Sequence, residues 1–314
     1  MNHFPVKTKR IVSNAPGTIF GIAPYDIIED ILIGLANDNE TVLEHLTEHN
    51  GAFKQPKVIE LVFLLSEHWH QDSSTKYIAV ELLDRFMILH VEELYKSSVE
   101  SMNILETVQA KTWKSIKASL CEMFILRMVS CIQITSKLHF HYHIINNNTI
   151  LQFLTSSGYI CNKEELLQSE LTVLKTLHFH INIHSPFTYV ETLLEVLGQN
   201  GCSVSLKDIR DMCVMVLDLV YLLRNPIYDT VLKASVDLST PNSSQRSRFL
   251  TIKEDQMLLA TGVISASSFI ISQDYWNQVL EHLSNITGIT VNSVFEVCSA
   301  ILKHCIGAIV LPSH

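Results

Sequence analysis

Histidine and cysteine are the residue types that could bring metal or redox chemistry to this chain. His139, His141 and His143 alternate in LHFHYH, and His178, His180 and His184 follow. A metal ion needs three or four ligands converging at a defined geometry. No spacing here matches a known ligand set, so no metal site is expected. Seven cysteines occur, at 121, 131, 161, 202, 213, 298 and 305. Their number is odd, no two form C-x-x-C, and most lie inside apolar runs, which is the pattern of reduced thiols in an intracellular protein. No H-E-x-x-H, G-x-S-x-G or glycine-rich phosphate loop occurs. No catalytic residue, cofactor or small-molecule substrate is therefore expected.

Two carboxylates are more informative. Glu170 shares a helical stripe with Leu166, Val173 and Leu177. A carboxylate in such a stripe must be paired or meet a partner. Asp84 closes the apolar run KYIAVELLDRFM, and Val80, Glu81, Met87 and Ile88 offer it no local cation. It needs one from a distant segment. Its neighbour Arg85 has Glu81 four residues earlier, the favoured orientation of a surface pair. Lys137 falls in the last turn of an apolar helix, where a cation suits the dipole. Lys111, Lys114 and Lys117 read as a solvated face.

The elements that must position these groups are helices. The chain has 314 residues, 47% hydrophobic and 18% charged, with only 10 Gly and 8 Pro, which suits an all-α protein of about two domains. Residues 1–24 read as a flexible lead-in and 25–50 as one or two short helices. Pro56 opens a helix over 56–69, and Ser73, Ser74 or Thr75 caps another over 76–90. Apolar periodicity continues through 113–137. Asn148 is placed to cap a short helix that Gly158 ends, and Asn162 to cap 163–179. Ser185-Pro186 restarts the chain. Helices are then expected over 187–197, 206–224, 254–272, 274–284 and 292–310, with a polar break at 234–250. The longest uncharged run, 257–272, is short of the ~20 residues of a membrane span. No apolar stretch follows MNHFPVKTKR, so no signal peptide is expected. A net charge of −9 disfavours direct nucleic-acid binding.

A family becomes visible in three pieces. YIAVELLDRFM resembles the second helix of a cyclin box. ITSKLHF, 134–140, resembles the end of the third, and LLQSELTVLKTLHFHINIHSPFTYVETLL, 166–194, the fifth helix and the crossing to a second half. LLATGVISASSFII with YWNQVLEHLSNITGIT looks like the second box of a tandem cyclin. The resemblance implies two tandem five-helix boxes, at 25–184 and 185–314, with an insertion at about 90–116 between the second and third helices of the first. It implies a structural ion pair between Lys57 and Asp84, and a kinase-binding set of Leu126, Lys137 and Glu170. In cyclins the last two hydrogen-bond the backbone of the kinase C-helix, seating its glutamate for phosphoryl transfer. Pro56, Glu60 and Phe63 stand where the family has an apolar substrate-docking patch, and Glu60 argues against that use. The likeness is greatest to a divergent animal group tied to meiotic crossover maturation. A non-enzymatic regulator is therefore expected in the nucleus, on chromosomes, and in the cytoplasm as a second location. Its expected partners are a cyclin-dependent kinase and other meiotic recombination proteins. The alternatives are a kinase-independent scaffold and a cyclin-fold transcription-type factor.

Overall fold

The computed structural model describes residues 19–100, 106–138, 144–202, 205–235 and 243–310. These residues form thirteen α-helices and no strand, so the chain is all-α as expected. The first six are α1 (Tyr25–Glu44), α2 (Pro56–His68), α3 (Ser73–Glu100), α4 (Glu106–Leu138), α5 (Asn147–Ser156) and α6 (Lys163–Thr176). The remainder are α7 (Pro186–Gln199), α8 (Leu206–Leu222), α9 (Arg224–Ser235), α10 (Ser243–Glu254), α11 (Gln256–Ile271), α12 (Gln273–Thr287) and α13 (Val291–Val310).

Local chemistry sets many of the boundaries. Pro56 and Pro186 occupy first-turn positions of α2 and α7, where a missing N–H costs nothing. Asn162 and Glu165 form a reciprocal capping box on α6. Asp255 caps α11 through Leu258 N, and Gly288, in the left-handed region at φ 72°, ends α12. The cap of α5 is Asn146, whose side chain accepts from Thr149 N, not Asn148, which sits inside the first turn.

The helices pack in two groups. In one, α4 lies against α2, α3 and α6, with α5 on α6. In the other, α11 is surrounded by α7, α8, α12 and α13. Twelve consecutive residues of α11, Met257–Ser268, are buried, as a central helix requires. The groups share one continuous core: Tyr77 of α3 stacks on Tyr221 of α8 at 5.3 Å and meets Phe187 of α7 at 5.7 Å. Helix α1, which sequence order puts with the first group, packs on α7 and α11 of the second. Residues Trp113–Leu138 of α4 are long and apolar enough to cross a membrane, and half of that window is buried against the protein.

Two expectations are corrected and a third gains detail. The stretch 90–116, expected as an insertion between the second and third helices, lies largely within α3 and α4, whose Tyr95 and Trp113 meet edge-on at 6.2 Å. Once nucleated, helices propagate by their own i→i−4 bonds and need no apolar stripe at every turn. Of the polar break at 234–250, residues 243–250 belong to α10, and 236–242 lie outside the described residues. Within the lead-in, residues 19–24 are seated. Ile22 N and Ala23 N both donate to Glu195 Oε1 at 2.8 and 2.7 Å. Gly21 crosses Gly198 so closely that a Cβ on Gly198 would lie 2.6 Å from Gly21 N.

Candidate partner-binding surface

The crossing of α4 and α6 is made tight by small residues. Ser130 and Ser169 are both buried. Their hydroxyls lie 2.8 Å apart, and Ser130 also donates to Leu126 O at 2.8 Å. Small side chains let the two backbones approach and still leave no polar group unpaired. In the last turn of α4, Lys137 reaches across and ion-pairs with Glu170 of α6. Its side chain is 41% exposed and that of Glu170 12%. The ammonium therefore stands at the surface, while the carboxylate is largely covered. Leu167 and Leu171, one turn apart beside Glu170, are exposed, as is Ile144.

Beside Lys137 lies an open groove of about 420 Å³, lined by Gln133, Lys137, Ile144, Asn147, Asn148 and Lys163. Its wall is held by the buried Gln133 amide, which donates to Ile145 O at 3.1 Å and Asn147 Oδ1 at 2.6 Å. The groove thus presents two ammonium ends and several amides beside one exposed isoleucine.

Of the sequence-derived set, the structure brings Lys137 and Glu170 together and parts the rest. Leu126 is 1% exposed. It is a core residue with no face left for a partner; an apolar residue on a central helix carries no sequence mark separating the two roles. Lys57 does not pair with Asp84. It lies in the first turn of α2 and points to solvent. Asp84 instead accepts from Gly51 N at 2.9 Å and Phe53 N at 2.8 Å, bonds made possible by Gly51 at φ 76°. Burial raises the Asp84 pKa against the attraction of nearby Lys54.

Lys54, three residues before Lys57, is the buried cation. Its ammonium lies 2.7 Å from Glu81 and 3.1 Å from Glu254. Tyr221 donates to Glu81 at 2.8 Å, and Arg224 reaches Glu254 at 2.5 Å. Burial pushes Glu254 upward, but Lys54 and Arg224 outweigh it and hold the carboxyl below its ordinary value. Glu81 is thus spent on this network, and Arg85 stands exposed without it. No periodicity could have disclosed Lys54, Arg224 or Glu254, because they meet across 200 and 30 residues of chain.

The expected substrate-docking patch is also altered. Pro56 and Glu60 are exposed, but Phe63 turns inward between Tyr77 and Tyr221 at 5.7 and 5.9 Å. Lys76 sits over its ring at 4.8 Å and binds Asp218 at 2.6 Å. His184 meets Asp38 at 3.3 Å. Among the described residues no three His, Cys, Asp or Glu side chains gather into a metal site; His139, His141 and His143 lie outside them.

No family model matches the chain. Two curated relatives do. They are the proteins named cyclin N-terminal domain-containing protein 1 in Mus musculus and Homo sapiens, each 46% identical over 289 residues. The alignment covers 92% of this chain and 86% and 87% of those two proteins. The chain belongs to the cyclin N-terminal domain-containing protein 1 family. The similarity to these relatives therefore extends over nearly the whole length of the chain. In this family member, the Lys137–Glu170 pair and the buried Lys54 network are separate constructions: one reaches the surface, the other is closed to solvent.

Proposed function

We propose that this cyclin-like protein is a non-enzymatic regulator that works by binding other proteins, in the nucleus, in meiotic recombination at the stage of crossover maturation. The meiotic setting follows from the resemblance to a group tied to that process. The partner we assign to the α4–α6 surface is a cyclin-dependent kinase. The observation that carries this is the Lys137–Glu170 pair, partly exposed beside the exposed Leu167 and Leu171. A carboxylate and an ammonium side by side can accept from and donate to the backbone of an incoming helix, and the leucines supply apolar contact. The test is kinase capture from meiotic tissue with the full chain and with Lys137→Ala/Glu170→Ala. Capture should fall at least tenfold. Stability should change little, since a partly exposed pair contributes about 0–1 kcal/mol. Undiminished capture by the folded variant would sink the assignment.

The long α3–α4 hairpin favours a second reading, a scaffold that does not need a kinase. Its arms extend past the shared core and touch each other through Tyr95 and Trp113. Replacing residues 95–113 by a short Gly-Ser turn should leave the melting transition in place and remove the scaffolding partners from affinity-purified material. An unaltered partner list would refute it.

A further inference from the structure

We propose that the outer face of α1 is a docking surface for a basic amphipathic segment of a partner protein. Helix α1 buries Ile28, Leu35 and Asn39 against the second group. Leu32 and Ala36 pack beside them, but several of its apolar residues remain in water. Ile27 and Ile31 are 52% and 44% exposed, and Ile33 53%. Just upstream, Ile22 and Tyr25 are 72% and 70% exposed, although the backbone there is pinned by Glu195. Ile27, Ile31 and Gly34 follow at i, i+4 and i+7 and so line one face. A Cβ on Gly34 would meet nothing within 4 Å, so a partner can approach the α1 backbone closely at that point. Several large apolar side chains exposed together on one ordered helix mark an interaction surface.

Charge identifies what fits there. The helix carries Asp26, Glu29, Asp30, Asp38, Glu40 and Glu44, and neither Lys nor Arg. Among the described residues, Asp38 is the one of these with an ion partner, His184. Glu40 and Glu44 lie toward the helix C-terminus, where the dipole disfavours carboxylates, and the last turn holds no basic residue. A cationic partner relieves both the mutual repulsion and the clash with the dipole. A second copy of the same face, or an anionic surface, would worsen them. The occupant that satisfies both features is a helix with apolar anchors one turn apart, flanked by Lys and Arg. The assignment does not depend on a kinase at α4–α6, because α1 packs on α7 and α11.

The test uses the full chain and a fluorescently labelled helical peptide of leucines at i, i+3, i+4 and i+7 with lysines between, followed by anisotropy. A counterpart with glutamate for lysine is the charge control. The lysine peptide should bind, and weaken as salt rises; the glutamate peptide should not bind. Ile27→Ser/Ile31→Ser and Asp26→Lys/Asp30→Lys should each weaken binding at least tenfold with the melting temperature held. Gly34→Trp, placed where space is open, should block it without unfolding the helix. Absent binding, equal binding of the two peptides, or affinity unmoved by both double variants would overturn the proposal. So would a dimer in sedimentation that Ile27→Ser/Ile31→Ser dissolves, which would assign the face to a second copy.

Discussion

Replacing Lys54 with methionine is expected to cost the folded state about 3–5 kcal/mol, the range for breaking a buried ion pair from one side. The Lys54 side chain is 2% exposed and its partners Glu81 and Glu254 are 10% and 5% exposed. Methionine matches the stem of lysine but leaves Glu81 with the Tyr221 hydroxyl alone. Glu254 keeps Arg224. The loss is therefore an uncompensated carboxylate, not a cavity. Urea denaturation reads it as a fall in midpoint at constant slope. A cycle with Glu81→Gln should recover part of the loss, because it removes the stranded charge. The pH dependence has a definite sign. Glu254 has a folded pKa below its unfolded one, so its contribution is present above the unfolded value and is lost as pH falls through the folded one. Lys54→Met should shrink that acid-side loss. A cost under about 1 kcal/mol would show that water reaches the cluster.

Gly262→Leu should destabilise the chain by about 3 kcal/mol, the upper part of the range for overpacking a core. Helix propensity alone argues the other way, since an interior glycine is worse than alanine by about 1 kcal/mol. Packing decides. On α11, a Cβ at position 262 would lie 2.5 Å from Val297 Cγ1 and 3.1 Å from its Cβ. Ile301 Cδ1 would follow at 3.6 Å. Glycine here sets how near α11 and α13 can come. Val297→Ala in the same chain should restore part of the lost stability, measured by thermal melting. A Gly262→Leu protein as stable as the parent would mean that the two helices can part without penalty.

What could be read from the residues divides along physical range. The capping box of Asn162 and Glu165 and the proline starts at 56 and 186 depend on atoms a few residues apart. Composition alone marks α11 as buried. Lys137 and Glu170 came into view through resemblance, and the structure places them in contact. Lys57 was misassigned to Asp84 because only the loop geometry at Gly51–Phe53 reveals that backbone amides serve that carboxylate. The outer halves of α3 and α4 carry mixed residues with no apolar stripe, so the Tyr95–Trp113 contact between them is not legible in the sequence.

The Lys54–Glu254 contact spans 200 residues of chain, and Asn39–Asp255 spans 216. At about 5–20 residues per second of synthesis, roughly 10–40 s separate the emergence of Lys54 from that of Glu254. During that interval Lys54 has Glu81 for company but Asn39 has no Asp255, and α1 has neither α7 nor α11 beneath it for most of the time. The earliest of the described helices to leave the ribosome is thus among the last to be finished. Nascent chains stalled before residue 254 would carry α1 as loose, isoleucine-rich cargo for chaperones, and release of the full chain would retire it.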